Sequence, residues 1–320
     1  MNRLTPGRAY LRLLANATVL VLLACGAPAN AAGPATVLIV KSDSLPQYES
    51  PVAVFRKTIS YHSTVINLVG SLEEGTGLLN RAVAEEKPIA IFALGAQAAW
   101  LSRQTLPDVP LVFAMVLGWQ RYGLAHGPTT GVSLDIPADA LFTRFKLMLP
   151  SLKTVGVIYS TACSQKMVDN ARDAARRLGL ELVEEQIAYS SDVPGAYRRM
   201  RTRVDGLWMV PDPVVITLDN FEYLAEQTRN DGIAFLAFSE NFVRAGALLS
   251  ISPNYTTIGS QAAVLTERLL ADQNSPPAVQ PPVGSKLVLN SSTARILGFE
   301  FNASQIIMAD LVVAGPAKEE

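Results

Sequence analysis

Short apolar runs alternate with amphipathic stretches along this chain, and the alternation occurs twice. From residue 35 the runs ATVLIV, VINLVG, PIAIFALG and PLVFAMV are separated by segments 49–63, 74–86 and 96–105, the first carrying Val52, Phe55 and Ile59 near helical spacing. Runs that are apolar throughout, rather than at every second position, belong to strands buried on both faces. That requires a parallel sheet covered by helices. The scheme restarts at TVGVIYS and continues through 164–178, LELVEEQIA, 193–203, GLWMV, 218–231 and IAFLAFS. The fold class expected is α/β, with two doubly wound parallel-sheet lobes, and 320 residues are enough for each to bury its own core.

Between the two units lies TTGVSLDIP, an apolar strand running through Asp135, Ile136 and Pro137 into an amphipathic helix. Pro137 disfavours helix at Ile136 and suits a segment that crosses between lobes. After the second unit, ALLSISPNYTTIGSQAAVLTERLLADQ gives a strand, a turn and a long helix. A stiff connector, NSPPAVQPPVG, and the strand KLVLN follow. Three crossings are expected, over 134–138, near Ser239 and near Pro281. They divide the chain into an N-terminal lobe of 34–134 plus 240–280 and a C-terminal lobe of 135–239 plus 281–314, with a cleft between them.

The first 31 residues differ in kind. Arg3, Arg8 and Arg12 precede an apolar run, 13–24, and the small residues of ACGAPANAA follow, which is how a secretory signal is built. Cleavage after Ala31 is expected, with acylation at Cys25 as the alternative, and the protein is placed in the periplasm. Cys163 then has no partner, so no internal disulfide contributes to stability. Lys plus Arg number 27 against 28 Asp plus Glu, a balance that offers nothing to nucleic acid.

The ordered series ALG, PLVFAMV, TGVSLDIP, LPSLKTVGVIYS, LGLELVE, GLWMVPD, FLAFSENFVRAGALLSISPNY, IGSQAA and KLVLNSSTARILGFEFNASQIIMADLVV resembles the ABC-transporter substrate-binding protein family with the type I periplasmic-binding fold. The resemblance spans nearly the whole mature chain. It implies capture of aromatic and related amino acids. Two departures bear on the ligand: Leu117-Gly118-Trp119 stands where members commonly carry Thr-Asp-Pro, and Pro253-Asn254-Tyr255 where they often have Val-Asp-Tyr. Two carboxylates that would hold a ligand ammonium are thus absent, and a buried ammonium without an opposite charge is costly.

In open α/β sheets ligands lie beyond the C-terminal ends of strands, where helix N-termini favour anionic groups. Ser42 and Asp43 follow the first strand. Gly95-Ala96 opens a helix whose backbone either holds a carboxylate or only makes a tight turn. Trp119 either stacks on a planar ligand or packs on its own lobe. Ser133 and Asp135 end the crossing strand, Asp135 being a ligand contact, a helix cap or a hinge bond. On the second lobe the strand ends bring Ser160, Asp212, Ser239 and Glu240, with Asp212 and Glu240 the remaining partners for a cation. Asn254 is a cap or a contact, and Tyr255 a lid or a packing residue.

Only two histidines occur, His62 and His126, and neither ends a strand, which leaves a Ser-His-Asp or Cys-His arrangement without candidates. HExxH, CxxC, Walker and GxGxxG patterns are missing, so no cofactor and no metal are expected. The expectation is a monomeric binding protein that captures a small, planar or amino-acid-like ligand in the inter-lobe cleft and delivers it to the permease of an ABC importer, or alternatively a sensing module that presents its closed form to a membrane receptor or kinase.

Overall fold

The structure, a computed structural model, describes residues 35–124 and 126–314. The expected signal segment, its cleavage after Ala31 and the acylation alternative at Cys25 lie outside the described residues.

The first sheet has five strands, β1 (Thr36–Lys41), β2 (His62–Asn67), β3 (Ala90–Leu94), β4 (Leu111–Ala114) and β5 (Thr129–Val132), all parallel in the order β2-β1-β3-β4-β5. Helices α1 (Glu49–Thr58), α2 (Leu72–Glu86) and α3 (Ala96–Thr105) alternate with them. The second unit comprises α4 (Ala138–Met148), β6 (Thr154–Ser160), α5 (Thr161–Arg177), β7 (Glu181–Ile187), α6 (Val193–Met200), β8 (Gly206–Trp208), α7 (Leu218–Asp231), β9 (Ala234–Ala237), α8 (Glu240–Arg244) and β10 (Leu249–Pro253). The chain closes with α9 (Tyr255–Ala271), β11 (Ser285–Asn290), α10 (Ser291–Ile296), α11 (Ala303–Met308) and β12 (Leu311–Val313). The second sheet runs β12-β11-β10-β9-β8-β6-β7.

Each sheet carries a core on both faces, as continuous apolar strands demand. In the first lobe Val37, Ile39 and Phe92 meet α1 and α9 on one side, and Leu38, Val40 and Ile91 meet α2 and α3 on the other. In the second, Val155 and Val157 face α4 and α5, while Ile158 and Leu207 face α6 and α7.

Three sequence expectations change. The second crossing is not near Ser239 but at Pro253 and Asn254, because β10 pairs in parallel with β9 and antiparallel with β11; residues 240–253 therefore belong to the second lobe. The second sheet is not wholly parallel, since β11 enters it from the opposite direction. The first helix stops at Thr58, so Ser63 is in β2, and the turn beyond β2 has both Val69 and Gly70 at positive φ.

The crossings are tied to one another. Ser133 N–H donates to the Gln280 carbonyl at 2.9 Å and Gln280 N–H to the Gly131 carbonyl at 3.0 Å, which lays the third crossing along the first. On the other side, Asn254 N–H reaches the Gly284 carbonyl at 3.4 Å, and the Gln261 side chain brackets the connector through Pro281 and Val283.

Helix α9 returns to the first lobe by seating Gly259 on α1, and a Cβ there would lie 2.4 Å from the Pro51 carbonyl oxygen. Backbone cannot yield as a flexible side chain can. Gly259→Ala is expected to cost about 1–3 kcal/mol or more of stability, read as a lower urea midpoint at unchanged slope. An unchanged midpoint would mean the two helices slide apart freely.

Candidate functional site

A cavity of about 230 Å³ lies where the lobes meet the crossings. The first lobe contributes Leu117, from the loop after β4. The first crossing contributes Leu134, Asp135 and Ile136, and the second Pro253 and Tyr255. The second lobe supplies Met167 of α5, Trp208 at the end of β8, Pro211 beyond it, and Phe238 and Ser239 after β9. The C-terminal ends of both sheets thus face one space, the position at which open α/β sheets bind ligands. Two aromatic walls are held in place by neighbours. Trp208 packs edge-on against Phe142 with ring centroids 5.3 Å apart, and Phe238 edge-on against Phe242 at 5.0 Å.

Asp135 is the one carboxylate among the described lining residues. It is half-buried, and among the described residues it makes no hydrogen bond or ion pair; Lys166, exposed on α5, acts on it only through space. Burial raises its pKa, and the Lys166 charge offsets part of that rise. Tyr255, on the opposite crossing, is also pushed up by burial. An acid left without a partner in an apolar wall is costly, and such groups cluster where a ligand supplies the missing charge.

The other sequence candidates are distributed differently. Asp135, Ser239 and Tyr255 come together at the cavity, and Ser133 is buried next to them, its N–H on Gln280. Ser42 and Gly95-Ala96 form a unit of their own. Gly95 has φ +91°, and a Cβ on it would lie 2.5 Å from Ser42 Oγ and closer still to the Tyr48 hydroxyl. Ser42 Oγ accepts the Ala98 N–H at 2.9 Å, capping α3 in the place of the missing Gly95 side chain. None of the three lines the cavity.

Trp119 packs on Phe113 with centroids 5.5 Å apart and joins the first lobe's core, while its neighbour Leu117 reaches the cavity instead. Asn254 caps α9, its side chain accepting the Thr256 N–H at 3.0 Å.

Both acids expected to meet a cation are already engaged. Asp212 is fully buried and accepts from Ser160 N–H at 2.8 Å, from Ser160 Oγ, and from Val214 N–H at 2.9 Å, tying the end of β6 to the loop after β8. Glu240 is paired with Lys286 and Arg244, which hold its carboxyl below the usual range, Lys286 first. The sequence did not point to Met167 or Trp208, which sit inside elements and not in loops after strands. His62 and His126 are exposed.

The description "ABC transporter substrate binding protein" matches residues 64–313. The chain belongs to the ABC transporter substrate-binding protein family. A curated relative is the tyrosine-binding protein of Clostridioides difficile (strain R20291), 25% identical over 201 residues; the match spans 60% of this chain and 57% of that protein, less than two thirds of the relative's length. Among solved structures, the ligand-free, open form of a substrate-binding protein with adhesive properties from Clostridium difficile superposes with a TM-score of 0.72 at 19% identity, covering 88% of this chain and 99% of that one. An ABC domain from Streptococcus pneumonia in complex with L-Trp gives 0.59 at 18% identity, covering 87% and 99%. These two likenesses show the fold: two lobes of the periplasmic-binding kind.

Two carboxylates so differently placed respond differently to removal. Asp212→Ala leaves the Ser160 and Val214 N–H groups without acceptors and is expected to cost about 3 kcal/mol or more; a loss below about 1 kcal/mol would show that these bonds contribute little. Asp135→Asn should act in the opposite sense. With its pKa raised on folding, the folded chain holds this proton more tightly than the unfolded one, so the carboxyl's contribution to stability falls as pH rises from the ordinary aspartate range through the raised value. The Asn variant is therefore expected to unfold at a higher temperature than the parent at neutral pH. The difference should vanish below the ordinary aspartate range, and a variant less stable at neutral pH would contradict the unpartnered placement.

Proposed function

We propose that this protein captures a small ligand, with a flat apolar body and an ammonium group, in the cavity between its lobes, and that it works outside the cytoplasm as the solute-binding component of an ABC importer. Members of the family are binding proteins, and the cavity supplies the parts such a role needs: rigid aromatic and aliphatic walls with a single charged group. The observation that carries the proposal is Asp135, a carboxylate without a partner in an otherwise apolar wall. A ligand ammonium would give it the opposite charge. Trp208, Phe238 and Tyr255 offer ring faces or edges for the body. Leu117 lines the cavity from the first lobe and Met167 from the second, so one molecule touching both favours a closed arrangement about the crossings.

That the relative from Clostridioides difficile is a tyrosine-binding protein, and the Streptococcus protein was solved with L-Trp, supports an aromatic ligand bearing an amine. Among the described residues no helix is long and apolar enough to cross a membrane.

A thermal-shift screen of the mature chain against amino acids, amines, purines and small acids tests this, because a compound that binds only the folded form raises the melting point. Aromatic compounds with an ammonium should raise it and small acids should not, and the gain should disappear in Asp135→Asn. Small-angle scattering with the best compound should show a smaller radius of gyration. A response confined to small acids, or one undiminished in Asp135→Asn, would overturn the assignment of this cavity.

A further inference from the structure

The charges around the cavity narrow the ligand further than the family does. We infer, building on the reading of this cavity as the ligand site, that the ligand is an aromatic or heterocyclic amine without a carboxylate, not a zwitterionic amino acid. The described lining includes one acid, Asp135, and no lysine, arginine or histidine; its other polar side chains are the hydroxyls of Ser239 and Tyr255. A monocation balances this wall. An amino acid brings a second charge, and a carboxylate moved out of water is costly unless a cation or several N–H groups receive it.

Several groups near the cleft that could receive a carboxylate are committed or lie off the cavity. At the start of α3, the Ala98 N–H is taken by Ser42 Oγ, the space over Gly95 is filled by Ser42 and Tyr48, and this turn does not line the cavity. At the start of α9, the Thr256 N–H is taken by Asn254. At the start of α5, Ser160 donates both its N–H and its hydroxyl to Asp212, and that fully buried carboxylate repels a second anion brought to the same turn. Helix α8 begins with Glu240, whose carboxylate holds Lys286 and Arg244 in ion pairs and lies outside the described lining. Lys166 is the one cation acting on Asp135. It is exposed and lies outside the described lining, so water screens it from an incoming carboxylate.

Arg121, whose guanidinium lies 2.7 Å from where a Cβ on Gly118 would stand, is exposed and outside the described lining. Asp135 is thus the remaining acid for an amine, and the lining gives an amino acid's carboxylate no cation.

Isothermal titration of the mature chain with tyramine, tryptamine and phenethylamine, beside L-tyrosine, L-tryptophan and L-phenylalanine, separates the possibilities. Each amine should bind about tenfold or more tightly than the amino acid with the same ring. Asp135→Asn, shown folded by circular dichroism, should lose about tenfold or more of the amine affinity. Amino acids that bind as tightly as their amines, and weaken in Asp135→Asn, would overturn the carboxylate-free ligand while leaving the cavity as the site. Affinities that ignore the Asn substitution, or no binding by either series at millimolar concentration, would overturn both.

Discussion

Two hydrogen bonds between the first and third crossings, Ser133 N–H to Gln280 and Gln280 N–H to Gly131, set the geometry on which the cleft depends. They splice the connector that leads to β11 along the end of β5, so that a strand leaving the first sheet and a strand entering the second run side by side. With Asn254 fixed beside Gly284, all three passages lie in one band. The band points the C-terminal ends of both sheets at a shared space. The charged group of the cavity comes from this band too. Asp135 follows Ser133 by two residues, so this band carries the one acid among the described residues lining the cavity.

That placement has an energetic consequence. Asp212, buried more deeply, accepts from two backbone N–H groups and a hydroxyl, and its charge is satisfied within the fold. Asp135 has only the distant influence of an exposed lysine. The fold therefore carries one acid whose solvation is reduced and unreplaced, a cost that a bound ammonium would offset. The aromatic walls are of the opposite character, since Trp208 and Phe238 each pack against another ring of the fold.

Much of the fold was legible because its strands are buried on both faces. TVGVIYS, AIFAL and LVFA read as continuous apolar runs, and each is a central strand. The run LLSIS was equally visible as a strand, but its lobe was not, because its partners β9 and β11 are fixed by pairing and not by anything local in the run. Of the candidates read from strand ends, Asp135, Ser239 and Tyr255 are brought together at the cavity. Other polar candidates at strand ends lie outside the cavity lining and have partners distant in sequence. Ser160 and Asp212 satisfy each other across 52 residues, and Glu240 meets Lys286 across 46. Met167 and Trp208 gave no signal of the strand-end kind, since one lies in a helix and the other is the last residue of a strand that reads as core.

The most direct test of this account is a crystal structure of the protein with the tightest-binding aromatic amine. The account predicts the ammonium nitrogen within ion-pair distance of an Asp135 carboxylate oxygen, the ring against Trp208 or Phe238, and the lobes closed over it. An amine bound elsewhere on the chain, or one seated in the cavity with its nitrogen turned away from Asp135, would contradict it.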